Sequence, residues 1–153
     1  MKRAHYAGSD FRRAVNIEDL RRIARRRLPN FSFEYVEGGA EDELALRRNR
    51  DVFERIAWVP RTLASVGAPD LATDILGDSC HLPLVIAPTG FNGLLWPQGD
   101  LALAKAAADA GIPFTLSTVS NYPVAKLTAE VPGRTWFQLY PMKEARVIDR
   151  LVD

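Results

Sequence analysis

The sequence predicts an α/β fold whose strands lie parallel, and three observations carry that prediction. From Leu82 onward, short apolar runs alternate with helical stretches in the order βαβαβα. The first run, Leu82-Pro83-Leu84-Val85-Ile86-Ala87, is almost wholly apolar, as suits a strand covered on both faces. The intervening helices carry their own boundary signals, such as Gly111 behind an Ala- and Leu-rich segment. Such alternation implies right-handed crossovers, and the residues leave two architectures open: an open doubly wound sheet, or the start of an eight-stranded barrel.

Each element has a local cause. Asn16 can cap a helix with Glu18 and Asp19 in its first turn, and Ile17, Leu20, Ile23, Ala24 and Leu28 recur at helical spacing until Pro29 stops it. Phe31 to Glu37 reads as a second helix ended by Gly38-Gly39. Glu41 to Phe53 reads as a third, with acids in its first turn to suit the helix dipole. Leu71 to Leu76, a Gly77-Asp78 turn and Ser79 to His81 form a small hairpin. Then follow a strand at Leu82 to Ala87, a helix at Asp100 to Ala110, a strand at Pro113 to Thr118, a helix at Pro123 to Val131, a strand at Thr135 to Tyr140 and a helix at Lys143 to Val152. Residues 1–70 are therefore expected to be an N-terminal helical segment, and residues 71–153 the hairpin plus the βα units.

Composition narrows the class. The 153 residues are 47% hydrophobic and 25% charged with a single Cys, so disorder, collagen and a disulfide scaffold are excluded and a reducing compartment is expected. No apolar run approaches the ~20 residues of a membrane span, and the first residues are polar, which makes the cytoplasm the expected location. The net charge of +1 is unevenly spread: residues 1–30 hold nine Lys and Arg against three acids, the rest eleven against sixteen. Arg21, Arg22, Arg25, Arg26 and Arg27 read first as a solvated helix face, and second as a surface drawn to an anionic membrane. Nucleic acid is not expected as a partner, because the acidic remainder would repel phosphate and no binding motif accompanies the basic stretch.

Several chemistries lack their residues. There is no C-x-x-C, H-E-x-x-H, G-x-S-x-G, P-loop or G-x-G-x-x-G pattern, so metal, hydrolase, nucleotide-hydrolysing and nicotinamide readings have no support. His5 and His81 are expected to be surface residues rather than bases. What remains lies at the C-terminal ends of the apolar strands: Pro88-Thr89-Gly90, Ser117-Thr118 and Gln138-Leu139-Tyr140. Ligands bind at that edge of α/β folds. Gly90, Ser117 and Gln138 have the sizes and polar groups that a flat heteroaromatic cofactor needs; the plainer alternative is that they only end strands and cap helices.

Five strings decide between these readings: Y-V-E-G-G-A-E-D-E (Tyr35 to Glu43), N-R-D-V-F (Asn49 to Phe53), A-P-T-G-F-N-G-L-L-W-P-Q-G-D (Ala87 to Asp100), L-S-T-V-S-N (Leu116 to Asn121) and W-F-Q-L-Y (Trp136 to Tyr140). In this order they resemble the FMN-dependent 2-hydroxy acid dehydrogenases and oxidases, from about Asn16 onward. The resemblance implies a (β/α)8 TIM barrel, of which this chain holds the first three βα units. It also implies oxidation of an (S)-2-hydroxy acid, mandelate- or lactate-like, to the 2-oxo acid with FMN as cofactor. Tyr35 would bind the substrate carboxylate. Pro88, Thr89 and Gly90 would lie along the flavin, Ser117 and Gln138 would hydrogen-bond it, and Tyr140 would be a catalytic and substrate-binding residue between flavin and substrate hydroxyl. Gly90 resembles the residue of dehydrogenases, where Ala marks oxidases. A quinone or other electron acceptor and a homo-oligomer are implied as well; the basic N-terminal helix, paired with a membrane acceptor, adds the expectation of peripheral contact with the inner face of the membrane.

The base histidine, flavin-side lysine and substrate arginines of the resembled family come from later barrel units. Eight units need about 250 residues. The expectation is therefore an N-terminal fragment of a longer enzyme, inactive by itself. Two alternatives stand beside it: a non-catalytic half-barrel that assembles with a partner chain, and another FMN barrel enzyme such as an isomerase, against which the Tyr35 string and W-F-Q-L-Y argue.

Overall fold

A computed structural model of the chain describes residues 6–63 and 67–152. They fall into two compact units, divided between Val66 and Gly67. His5 lies outside the described residues.

In the first unit, helix α1 spans Ile17–Arg27 and begins as the sequence requires: the Asn16 side chain accepts the Asp19 amide at 2.7 Å. A short 3-10 turn over Phe11–Arg13, capped by the Asp10 carboxylate, precedes it. Arg21, Arg25, Arg26 and Arg27 of α1 are exposed, as a solvated face requires, and Arg22 is half-buried; each also holds a partner. Arg22, Arg26 and Arg27 donate to the main-chain carbonyls of Tyr6, Ala7 and Ser9, while Arg21 pairs with Glu18 and Glu37, and Arg25 with Glu34. Helical spacing explains the division: positions 22 and 26 share one side of the helix, 21 and 25 the next. The basic run thus fastens residues 6–9 and the following helix to α1.

That helix, α2, covers Asn30–Glu37 and ends at Gly38; Ser32 and Phe33 are its buried residues, and the Arg25 guanidinium stands 4.7 Å from the Phe33 ring centre. Helix α3 runs Leu44–Arg55, later than expected, and holds no acid in its first turn. Glu41 and Glu43 adopt left-handed backbone, which a helix cannot include, and the Glu43 carboxylate accepts the Gly39 amide at 3.2 Å. These acids build the turn before the helix.

The second unit opens with an antiparallel hairpin, β1 (Thr73–Ile75) and β2 (Asp78–Cys80). Its turn is Leu76-Gly77, one residue earlier than expected. Both have positive φ, the conformation a two-residue type I′ turn demands, so Asp78 becomes the strand partner of Ile75.

The strand expected at Leu82 to Ala87 does not form as a strand; Ile86 alone makes a parallel bridge to Phe114. Ile86 donates to Pro113 O at 3.0 Å and accepts from the Thr115 amide at 3.0 Å. The next donor along would be residue 88, a proline without an N–H. Toward the other end, the Leu84 amide turns back to Leu82 O, and Gly111 O is taken by the His81 amide.

The remaining elements follow the sequence closely. Helix α4 is Gly99–Ala110, strand β3 Phe114–Ser117, helix α5 Val124–Glu130, strand β4 Thr135–Gln138 and helix α6 Ala145–Val152. Strands β3 and β4 pair in parallel, in register from Phe114 with Thr135 to Ser117 with Gln138. The core of this unit gathers Leu101, Ala104 and Ala107 of α4, Phe114 and Leu116 of β3, and Leu127 of α5. β3 is buried along its whole length, whereas β4 is half exposed and pairs only with β3 among the described residues.

Candidate functional site

The C-terminal ends of β3 and β4 bring together the side chains that the sequence singles out. Ser117 and Gln138 are register partners, and the Ser117 hydroxyl donates to Gln138 Oε1 at 3.2 Å while accepting the Val119 amide at 3.3 Å. Thr118 closes the same edge: its hydroxyl donates to the Gln138 main-chain carbonyl and accepts the Tyr140 amide at 3.0 Å. This leaves the Gln138 carboxamide N–H groups without a protein acceptor among the described residues. The edge therefore offers the two Gln138 N–H groups, at the end of the half-exposed β4, as donors, and the Tyr140 side chain is exposed beside it.

Pro88, Thr89 and Gly90 lie on the loop after the Ile86 bridge, Pro88 and Thr89 exposed and Gly90 half-buried. The loop is held by its own residues. The Thr89 hydroxyl donates to Asn92 Oδ1 at 2.9 Å, the Asn92 amide group returns a bond to Thr89 O at 3.1 Å, and the Phe91 amide reaches Val119 O at 3.2 Å. The last of these joins the loop to the end of β3. Tyr35 belongs to the first unit, on α2, with its side chain exposed.

Four residues of this region escaped the sequence reading: Asn92, Asp100, Ser120 and Asn121. Each stands inside a string that was noticed, but Asp100 reads from sequence as a helix-dipole acid and Asn92 as a loop polar residue. Only the folded arrangement buries them, to 1% and 8% exposure. His81 is exposed, and its ring lies against Gly111. Among the described residues no group of three or more His, Cys, Asp or Glu could hold a metal ion.

Residues 24–153 match the family model described as FMN-dependent dehydrogenase, most of the chain. The chain belongs to the FMN-dependent dehydrogenase family. It is 50% identical over 125 residues to (S)-mandelate dehydrogenase of Pseudomonas putida, covering 82% of this chain and 32% of that protein. It is 47% identical over 132 residues to a putative L-lactate dehydrogenase of Mycobacterium tuberculosis, again covering 32% of the relative. The structure of a soluble mutant of the membrane-associated (S)-mandelate dehydrogenase from Pseudomonas putida superposes with a TM-score of 0.82 at 47% identity, over 90% of this chain and 39% of that one. The chain thus spans about a third of the length of the curated relatives it matches.

FMN is the cofactor of this family, and the donor set fits it. A flavin presents carbonyl oxygens and ring nitrogens along one edge; the free Gln138 N–H groups are of the type that donates to them, and the Ser117 hydroxyl, its hydrogen donated to Gln138, keeps a lone pair that can accept a ring N–H. The parallel β3 and β4 with their crossover helix α5, together with the Ile86 bridge, are consistent with an incomplete barrel of the TIM type. No helix among the described residues is long and apolar enough to cross a membrane.

Proposed function

We propose that this chain is the N-terminal part of an FMN-dependent enzyme that oxidises an (S)-2-hydroxy acid, mandelate- or lactate-like, to the 2-oxo acid, and that it forms the first three βα units of a (β/α)8 barrel. The observation that carries the proposal is the Ser117–Gln138 pair, two polar side chains in register at the C-terminal edge of adjacent parallel strands. That edge is where barrel enzymes place their chemistry.

FMN, when bound, supplies the two-electron acceptor for the substrate. The residues of this chain do the holding. Ser117 and Gln138 bind the polar edge of the flavin, and the backbone of Pro88, Thr89 and Gly90 follows its ring with little side-chain bulk. Tyr140 holds the substrate hydroxyl, and the Tyr35 phenol donates a hydrogen bond to the substrate carboxylate. The similarity to a membrane-associated (S)-mandelate dehydrogenase supports a peripheral membrane contact, and a quinone or other acceptor is proposed with it.

The test is the full-length enzyme. It should purify with FMN near one per chain and reduce that flavin on addition of (S)-mandelate or L-lactate. An enzyme that binds FMN but is reduced by neither, nor by another 2-hydroxy acid, would refute the reaction.

A further inference from the structure

The strings that end at Asp100 and Asn121 hold more polar residues than flavin contacts would use, and those residues meet in one buried network. Asn92 Nδ2 donates to Asp100 Oδ1 at 2.7 Å, and the Ser120 hydroxyl donates to Asp100 Oδ2 at 2.8 Å while accepting the Tyr122 amide at 3.0 Å. Asp100 lies in the first turn of α4 and is 1% exposed, so both of its oxygens are satisfied by one loop each: the loop after Ile86 through Asn92, and the loop after β3 through Ser120. A second tie runs parallel to it, from the Gly93 amide to Asn121 Oδ1 at 3.1 Å. Two glycines make the approach possible. A Cβ on Gly99 would come within 2.8 Å of Asn92 O, and one on Gly93 would run into the Asn121 carboxamide.

We infer that Asp100 is a positioning residue for the cofactor site: its carboxylate sets the separation between the Thr89-Gly90 loop and the Ser117-Thr118 edge, which must flank one rigid, planar ring. The inference rests on the reading of that edge as the flavin site. Removing the carboxylate costs Asn92 one of its two amide acceptors, leaving only Thr89 O, and turns the part-buried Ser120 hydroxyl to the Tyr122 carbonyl, so neither loop is tied to α4 any longer. The two loops then lose their common anchor, while β3 and the core beneath it keep theirs.

Asp100→Asn is the conservative variant. Its oxygen can still accept from Asn92, and its amide can donate to Ser120. The Ser120 hydroxyl then turns to the Tyr122 carbonyl, 3.3 Å away.

The experiment measures FMN affinity by fluorescence quenching during reconstitution of the full-length apoprotein, with amide exchange at Phe91 and Gly93 in the FMN-free protein. Asp100→Ala should weaken FMN binding at least tenfold and speed both amides by a similar factor. Asp100→Asn should stay within about threefold of wild type in both. Where Asp100→Ala does not fold, Ser120→Ala removes one of the two bonds and should give the same pattern in smaller measure. Wild-type FMN affinity in Asp100→Ala, or an Asp100→Asn variant as weak as Asp100→Ala, overturns the positioning role and leaves the cofactor reading standing. A wild-type enzyme that takes up no FMN overturns both.

Discussion

The His81 main chain and the Gly111 main chain are joined by a hydrogen bond of 3.0 Å, from the His81 amide to the Gly111 carbonyl, and the His81 imidazole lies where a Gly111 side chain would be. Gly111 ends α4 with φ +66, and its amide closes the helix onto Ala107 and Ala108. Backbone conformation and close approach therefore demand glycine independently.

Gly111→Ala should cost at least about 1 to 2 kcal/mol from the left-handed backbone alone, with a further loss from the collision with His81. Urea unfolding measures it. Adding His81→Ala should recover the collision part and leave the backbone part, so a double-mutant cycle separates the two. A neutral Gly111→Ala would contradict both causes.

Acid should loosen the first unit. Burial raises the Asp19 carboxyl pKa, but the Val15 amide and the Arg22 guanidinium outweigh it and hold the group below its ordinary 3.8. The Arg21 guanidinium lowers Glu37 below its ordinary 4.5 in the same way. The folded chain binds these protons less tightly than the unfolded chain, so protonation favours unfolding. The stabilisation is complete above the ordinary values and disappears as pH falls through the lowered ones. The urea midpoint should drop as the pH falls through and below the ordinary carboxylate values, and the drop should be smaller in Asp19→Asn and Glu37→Gln.

Tyr35→Phe in the full-length enzyme should raise KM for the hydroxy acid about ten- to a hundredfold, with FMN content unchanged. The lost phenol is one donor to a charged carboxylate, worth roughly 1.5 to 3 kcal/mol. Steady-state kinetics with unaltered KM and kcat would make Tyr35 a packing residue.

Gly90 bears on the electron acceptor. In the proposed flavin site a side chain at this position would fill space over the ring, the difference that the resemblance implies between dehydrogenases with glycine and oxidases with alanine. The reduced enzyme should react slowly with oxygen, and Gly90→Ala faster, by stopped-flow in air-saturated buffer. Rapid wild-type reoxidation, or a Gly90→Ala variant that is no faster, would remove the assignment.

Local signals determined much of this protein. Asn16 and Pro29 bracket α1, Gly38 ends α2, Gly111 ends α4, and the apolar β3 is buried along its length as its composition demands. The polar residues at the strand ends were legible too, because an apolar run that stops in Ser117 or Gln138 marks the sheet edge. Tertiary structure decided the rest, wherever a backbone group or charge had to find a distant partner. Pro88 stops the ladder beyond Ile86 only because the next hydrogen bond would have to come from that position. The exposed arginines of α1 also become ties because residues 6–9 and α2 place acceptors within their reach. Asp100 becomes an anchor because α4 carries it inward, where an unpaired carboxylate would be costly and where Asn92 and Ser120 arrive from loops 8 and 20 residues away. Periodicity sees neighbours within a turn or two; these contacts join segments whose meeting depends on how the chain packs.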